Sequence, residues 1–196
     1  MPTAMPRLRT ERLLIRPFVM EDLESVHRVL SNAWGVSSHK QEDNLPARER
    51  WLRWTVANYG ELAALTQPPY GDRAVVLMED GRLIGSVGLV PAMGPFGQLA
   101  GFPVNQGSHY RFPEVGLYWA LDPEAQTRGF ATEAARALIE FAFGELNLGR
   151  IVATTEYTNA ASIAVMRKLK MRVLRNPEPT PAWFQIVGLL EREPDR

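Results

Sequence analysis

Cysteine is absent from the 196-residue sequence, which excludes disulfides, a thiolate nucleophile and thiolate-bound zinc and fits a reducing compartment. A cytoplasmic address is therefore expected. Net charge is absent as well: 22 Lys plus Arg balance 22 Asp plus Glu, so no global positive field gathers nucleic acid. No apolar run approaches the roughly 20 residues that span a bilayer, and residues 1–6 lack the basic and apolar regions of a secretory signal. No membrane partner is expected. The three histidines, His27, His39 and His109, sit in different segments without paired metal spacing, so no metal is expected. What is present is a 45% hydrophobic, 22% charged composition, enough to bury a core. With no repeat and no linker-like stretch, residues 1–196 are expected to form one domain.

Periodicity predicts a strand over residues 12–17, stopped by Pro17, and a helix over 20–32 carrying Leu23, Val26 and Leu30 on one face. A second helix is expected from Pro46 to about Ala64, where Trp51 and Trp54 read as core, like Trp34 before them. Residues 73–79 and 82–90 form two β-rich runs joined by Asp80-Gly81, a strong hairpin signal. Residues 91–113 break the pattern, with four glycines among prolines and aromatics. They read as a long functional loop over a binding site, with Phe102, His109, Tyr110 and Phe112 as candidate contacts. Strand 114–121, helix 128–144, strand 150–157 and helix 160–169 follow, and strands 171–174 and 183–190 close the chain.

The chemistry concentrates where Val115-Gly116-Leu117-Tyr118-Trp119-Ala120-Leu121 leads through Asp122-Pro123 into Gln126-Thr127-Arg128-Gly129-Phe130-Ala131-Thr132. A strand runs through a turn into a helix start. Such a start offers unpaired N–H groups and partial positive charge, so it binds a diphosphate when small residues let the phosphates reach the backbone. Gly129 and Ala131 give that access. The dipole alone contributes only ~0.3–1 kcal/mol, so several N–H bonds and side chains such as Arg128 must add to it. No Lys-Ser or Lys-Thr pair follows the glycine, which excludes a Walker loop, and the three glycines of a dinucleotide fingerprint are missing.

The segment 126–131 resembles the pyrophosphate motif of the GNAT acetyltransferase superfamily, written Gln or Arg, x, x, Gly, x, Gly or Ala, after the fourth expected strand. Asn159-Ala160-Ala161-Ser162 and Val165-Met166-Arg167-Lys168-Leu169 resemble that family's Asn-x-x-Ser and Lys-Leu helix. Leu8-Arg9-Thr10-Glu11-Arg12-Leu13-Leu14-Ile15-Arg16-Pro17 resembles the opening of the branch with the ribosomal-protein N-terminal alanine acetyltransferases. The resemblance implies an α/β (α+β) fold with a mixed, mostly antiparallel central sheet flanked by helices, whose two middle strands splay around pantetheine. It implies acetyl-CoA as cosubstrate and direct attack by an amine in a ternary complex. Two departures stand out. The family usually places glycine where Lys170 stands, so the helix is expected to end differently. Met166 occupies the position of the family's frequent tyrosine acid.

By the same resemblance, Gln126, Thr127, Arg128, Gly129, Phe130, Ala131 and Thr132 hold the pyrophosphate, and the backbone of residues 117–121, Leu121 included, polarises the thioester carbonyl. Asn159 contacts pantetheine. Ser162 lies near the sulfur as a donor to the departing thiolate. Glu114 resembles the carboxylate of Glu-x-Gly and is the candidate base, acting directly or through water. Structural readings stand beside these: Asn159 as a helix cap, Ser162 as a first-turn serine, Glu114 as a solvent-facing acid. An α-amine near pKa 7.8 is about one third neutral at pH 7.5 and a lysine only ~0.1%, a difference of about 3 kcal/mol. A weak base therefore favours N-terminal or other low-pKa amines. The acceptor stays open between a protein N-terminus and a small molecule, and a homodimer would be unsurprising. Two rivals remain: an acyl-CoA-binding regulatory module with little catalysis, and a nucleotide-phosphate binder.

Overall fold

In the computed structural model, residues 4–34, 44–100, 102 and 110–192 are described. His39, His109, most of the loop's centre and the side chain of Trp34 lie outside the described residues.

Alternating burial builds the strands. In β2 (Leu13–Pro17), Leu13 and Ile15 are fully buried, and the strand stops at proline, which cannot donate to a ladder. The strands are β1 (Leu8–Arg9), β2, β3 (Gly71–Leu77), β4 (Leu83–Gly94), β5 (Phe112–Leu121), β6 (Arg150–Thr155), β7 (Arg172–Arg175) and β8 (Ile186–Glu191). Their order is β1-β2-β3-β4-β5-β6-β8-β7. The β5–β6 pair is parallel, with Gly116 opposite Val152, whereas β1–β2, β2–β3, β3–β4, β6–β8 and β7–β8 are antiparallel. The mixed, mostly antiparallel α/β class expected from the sequence is the class found. Because β1 precedes the first expected strand, the motif helix follows the fifth strand by this count.

Among the described residues, four α-helices accompany the sheet: α1 (Leu23–Trp34), α2 (Leu45–Ala64), α3 (Phe130–Gly144) and α4 (Ala160–Lys168). No described helix is long and apolar enough to cross a membrane. Asn44 starts α2 by accepting the Ala47 N–H at 2.9 Å, with Pro46 in the first turn. Trp51 packs edge-on against Phe18 with ring centroids 5.5 Å apart. Trp54 is 62% exposed, so of the pair Trp51 packs against the core and Trp54 lies at the solvent edge of the helix.

The chain divides into two compact units, Met1–Leu89 with Tyr118–Leu146 and Val90–Leu117 with Asn147–Arg196. In the first, Phe18, Val26, Leu30, Leu52, Ala74 and Ala120 form an apolar cluster. In the second, Phe96, Leu99, Phe102, Val152, Phe184 and Leu189 do so. This second core changes the reading of residues 91–113. β4 continues to Gly94, and Phe102 is 4% exposed, stacked on Phe96 at 4.7 Å. Phe102 is thus a core residue and not a binding-site contact, and Phe112 begins β5. Apolar burial has turned the first half of the loop into a packed flap.

The end of α4 also differs from expectation. Lys170 keeps the left-handed cap at φ 60° without glycine. Lys170 N–H donates to Arg167 O and Met171 N–H to Met166 O, both at 3.0 Å, the bonding of a Schellman cap.

Candidate functional site

The approach to α3 is fixed by buried polar contacts in the first unit. Asp122 is buried; its N–H donates to Ile84 O at 2.9 Å, its carboxylate accepts from the Glu124 N–H at 3.2 Å, and Arg28 donates to it at 3.1 Å. A short 3-10 turn, Pro123–Ala125, follows. Gln126 Nε2 then donates to Leu121 O at 3.0 Å, tying the first motif residue back to the strand. Residues 126–128 are exposed.

Two of the next residues lie in the left-handed region, Thr127 at φ 59° and Gly129 at φ 85°. For a β-branched threonine this is a strained conformation, of the kind that clusters at binding sites. Gly129 precedes α3 and supplies no side-chain cap. The first helical bond there is Glu133 N–H to Gly129 O at 3.0 Å, so the amides ahead of Glu133 have no intrahelical partner. A β-carbon at Gly129 would stand 3.4 Å from Arg12 Nη2.

Arg12 latches this start from outside. Its Nε donates to Glu133 Oε2 at 2.7 Å, its Nη2 reaches the same oxygen at 2.5 Å, and its Nη1 donates to Arg128 O at 3.1 Å. Thr10 Oγ1 donates to Glu133 Oε1 at 2.5 Å and Arg12 N–H to that oxygen at 3.0 Å. Burial pushes the Glu133 carboxyl upward, but the Thr10 hydroxyl and the Arg12 amide and guanidinium outweigh it and hold it below its ordinary value. The Phe130 ring is buried under both cations, 4.5 Å from Arg12 and 5.1 Å from Arg128. Thr10, Arg12 and Glu133 were missed by sequence reasoning. The stretch 8–17 carried the family resemblance, but its partner lies 121 residues away.

In the second unit, Asn159 caps α4: its Oδ1 accepts the Ser162 N–H at 3.0 Å, which leaves its Nδ2 uncommitted by that bond. Ser162 is half-buried, and Met166 is fully buried. Glu114 faces Arg150, whose Nη2 and Nε donate to its two oxygens at 2.5 and 3.0 Å. The pair lines a cleft of about 580 Å³ with Pro113, Val115, Gly149 and Glu191.

The acetyltransferase (GNAT) domain model matches residues 12–172, and the chain belongs to the GNAT acetyltransferase family, whose reaction is acetyl transfer from acetyl-CoA. It is 31% identical over 169 residues to the uncharacterised N-acetyltransferase YnaD of Bacillus subtilis, covering 84% of this chain and 82% of that protein. A solved acetyltransferase from Agrobacterium tumefaciens superposes with TM-score 0.68 at 26% identity, covering 96% of each chain. A ribosomal-protein alanine acetyltransferase from Vibrio fischeri shares the fold with TM-score 0.66 at 17% identity, over 98% of this chain and 100% of that one.

Proposed function

We propose that this chain transfers the acetyl group of acetyl-CoA to a primary amine by direct attack, with the cofactor diphosphate seated on the start of α3. The carrying observation is that start itself: left-handed Thr127 and Gly129, no side-chain cap, and Arg12 and Arg128 beside it. Free amides and fixed positive charge suit a diphosphate, and a glycine there admits it to the backbone. In this reading Gln126, Thr127, Arg128, Gly129, Phe130, Ala131 and Thr132 hold the phosphates, and Leu121 closes the strand whose backbone polarises the thioester carbonyl. Asn159 Nδ2 contacts pantetheine, and Ser162 donates to the departing thiolate. One paired position between β5 and β6, against six between β6 and β8, supports strands that part to admit the pantetheine arm. The thioester supplies an activated acetyl group.

Glu114 is bound on both oxygens by Arg150, which favours a part in holding β5 to β6 over accepting the amine proton. The family model runs through both units, which supports one acyltransferase domain, and the cysteine-free chain suits the cytoplasm. An acetyl-CoA-dependent thiol-release screen over N-terminal peptides and small amines tests the proposal. Turnover is expected with at least one amine and none without. CoA binding with no thiol release for any amine would favour a binding module instead.

A further inference from the structure

The second unit ends in a sheet edge that cofactor binding leaves unused. β7 is the outermost strand and, among the described residues, pairs with β8 alone. Just beyond it, Asn176 N–H donates to Gln185 O at 2.9 Å, in step with Arg175 opposite Ile186. An antiparallel ladder bonds every second residue, so Leu174 and Arg172 also turn their backbone groups to β8. Val173 and Arg175 therefore present their N–H and C=O groups to the outer edge, where another strand can pair with them.

Positive charge gathers along this edge. Residues 157–177 hold five of the 22 Lys and Arg of a net-neutral chain, Arg167, Lys168, Lys170, Arg172 and Arg175, and none of its Asp or Glu. Among the described residues, one carboxylate pairs with them: Glu191, 3.9 Å from Arg172. An exposed pair at that distance neutralises little.

Beside the edge, α4 and the sheet enclose a cleft of about 540 Å³. Its apolar lining comes from Ile163 of α4, Val173 of β7, Ile186 of β8 and Met171, and the last two are buried. Arg167, one turn along α4 from Ile163, and Arg175 add two cations, and among the described residues no carboxylate lines the space. Tyr157 completes the wall. Its ring lies 3.7 Å from the Arg175 guanidinium, its N–H donates to Gln185 Oε1 at 2.8 Å, and its hydroxyl donates to Asn176 O. Stacking occupies the face of a guanidinium and leaves its N–H groups for an acceptor, so Arg175 is held in place with donors to spare.

We propose that this edge and cleft bind an acidic, extended peptide segment of a partner protein, added to β7 as a further strand with carboxylates on Arg167 and Arg175 and an apolar side chain over Ile163 and Val173. The edge groups of Val173 and Arg175 supply backbone pairing, the cleft takes alternate side chains, and the row of cations selects the sign of the partner. A second copy of the chain brings its own row of cations, and like charges opposed across strands repel. A nucleic acid would meet the charge, but it has no strand backbone to pair with the edge, and the one aromatic ring of the cleft is already covered by Arg175. Acetyl transfer is not required for this binding, since none of the residues assigned to the cofactor lines the cleft.

The test uses the whole protein and an acetyl-capped, fluorescent peptide of alternating glutamate and valine, followed by anisotropy. Two control peptides accompany it: the same sequence with every backbone amide N-methylated, which cannot donate to a ladder, and one with lysine in place of glutamate. Wild type should bind the acidic peptide at least about tenfold more tightly than either control, and about tenfold more weakly as salt rises from about 50 to about 500 mM. Hydrogen exchange at the Val173 and Arg175 amides should slow in the complex. Arg167→Glu combined with Arg175→Glu should lose at least about tenfold in peptide affinity, with CoA affinity by calorimetry within about twofold. Should that variant fail to fold, Arg167→Gln with Arg175→Gln should still lose about threefold or more. No anisotropy change up to about 1 mM acidic peptide, equal binding of either control, or unprotected Val173 and Arg175 amides at saturation overturns the proposal. So does unchanged peptide affinity in the folded charge variant, or tighter binding of a single-stranded oligonucleotide than of the peptide. Sedimentation of wild type as a dimer whose Val173 and Arg175 amides are already protected would assign the edge to a second copy and overturn it as well.

Discussion

The helices α3 and α4 each begin just after a strand and its turn, and they close their first turns in opposite ways. At α4, Asn159 Oδ1 takes the Ser162 N–H at 3.0 Å, so the helix satisfies its own start. At α3 the cap position is Gly129 at φ 85°, no side chain caps it, and Thr127 just before it is strained at φ 59°. A missing cap costs about 1 kcal/mol, and a residue held in a sparsely populated conformation costs of the same order. The geometry persists because Thr10 and Arg12, in the distant connection between β1 and β2, hold it. In the proposed reading, α4 closes its own start with the Asn159 side chain, whereas α3, kept open and latched from outside, keeps its amides for the diphosphate.

The largest expected effect comes from breaking the latch. Arg12→Gln removes the ion pair to Glu133 and the bond to Arg128 O, leaving a carboxylate unneutralised where the proposal seats the diphosphate. CoA affinity by calorimetry should fall at least tenfold, about 1.4 kcal/mol. Adding Glu133→Gln should restore part of it. A loss under twofold would erase the distinction between the two helix starts.

Paired substitutions sharpen the contrast. Asn159→Ala removes the α4 cap and should cost about 1 kcal/mol in urea unfolding. Gly129→Ala should cost a similar amount, because an alanine at φ 85° is strained, and should weaken CoA binding more than Asn159→Ala does. If both variants lose stability and affinity alike, α3 has no special role. The smallest effect is a gain: Lys170→Gly relieves the left-handed cap of α4 and should add about 0.5–1 kcal/mol. Scanning calorimetry should show a Tm rise of about 2–4 °C per kcal/mol.

Local signals carried much of the fold. Asp80-Gly81 makes the turn between β3 and β4, with Gly81 at φ 73° and its N–H on Leu77 O, as a tight hairpin requires. Pro46 marks the first turn of α2, and the order of residues 115–132 places the candidate phosphate site at a strand, turn and helix. What stayed hidden depends on residues far apart. The burial of Phe102 needs Phe96 and Phe184, the latch needs Arg12 and Glu133, and the engagement of Glu114 needs Arg150. Lys170 misled because the loss of glycine is worth only about 1 kcal/mol, while the cap bonds to Met166 and Arg167 and the burial of Leu169 and Met171 remain.

The most direct test of the open helix start is an amide-resolved NMR titration of the isotope-labelled protein with CoA. The account predicts that the N–H signals of Gly129, Phe130, Ala131 and Thr132 shift and saturate together, and that inorganic pyrophosphate moves the same signals in the same direction. Saturation by CoA at other amides, with these four unmoved, would contradict it.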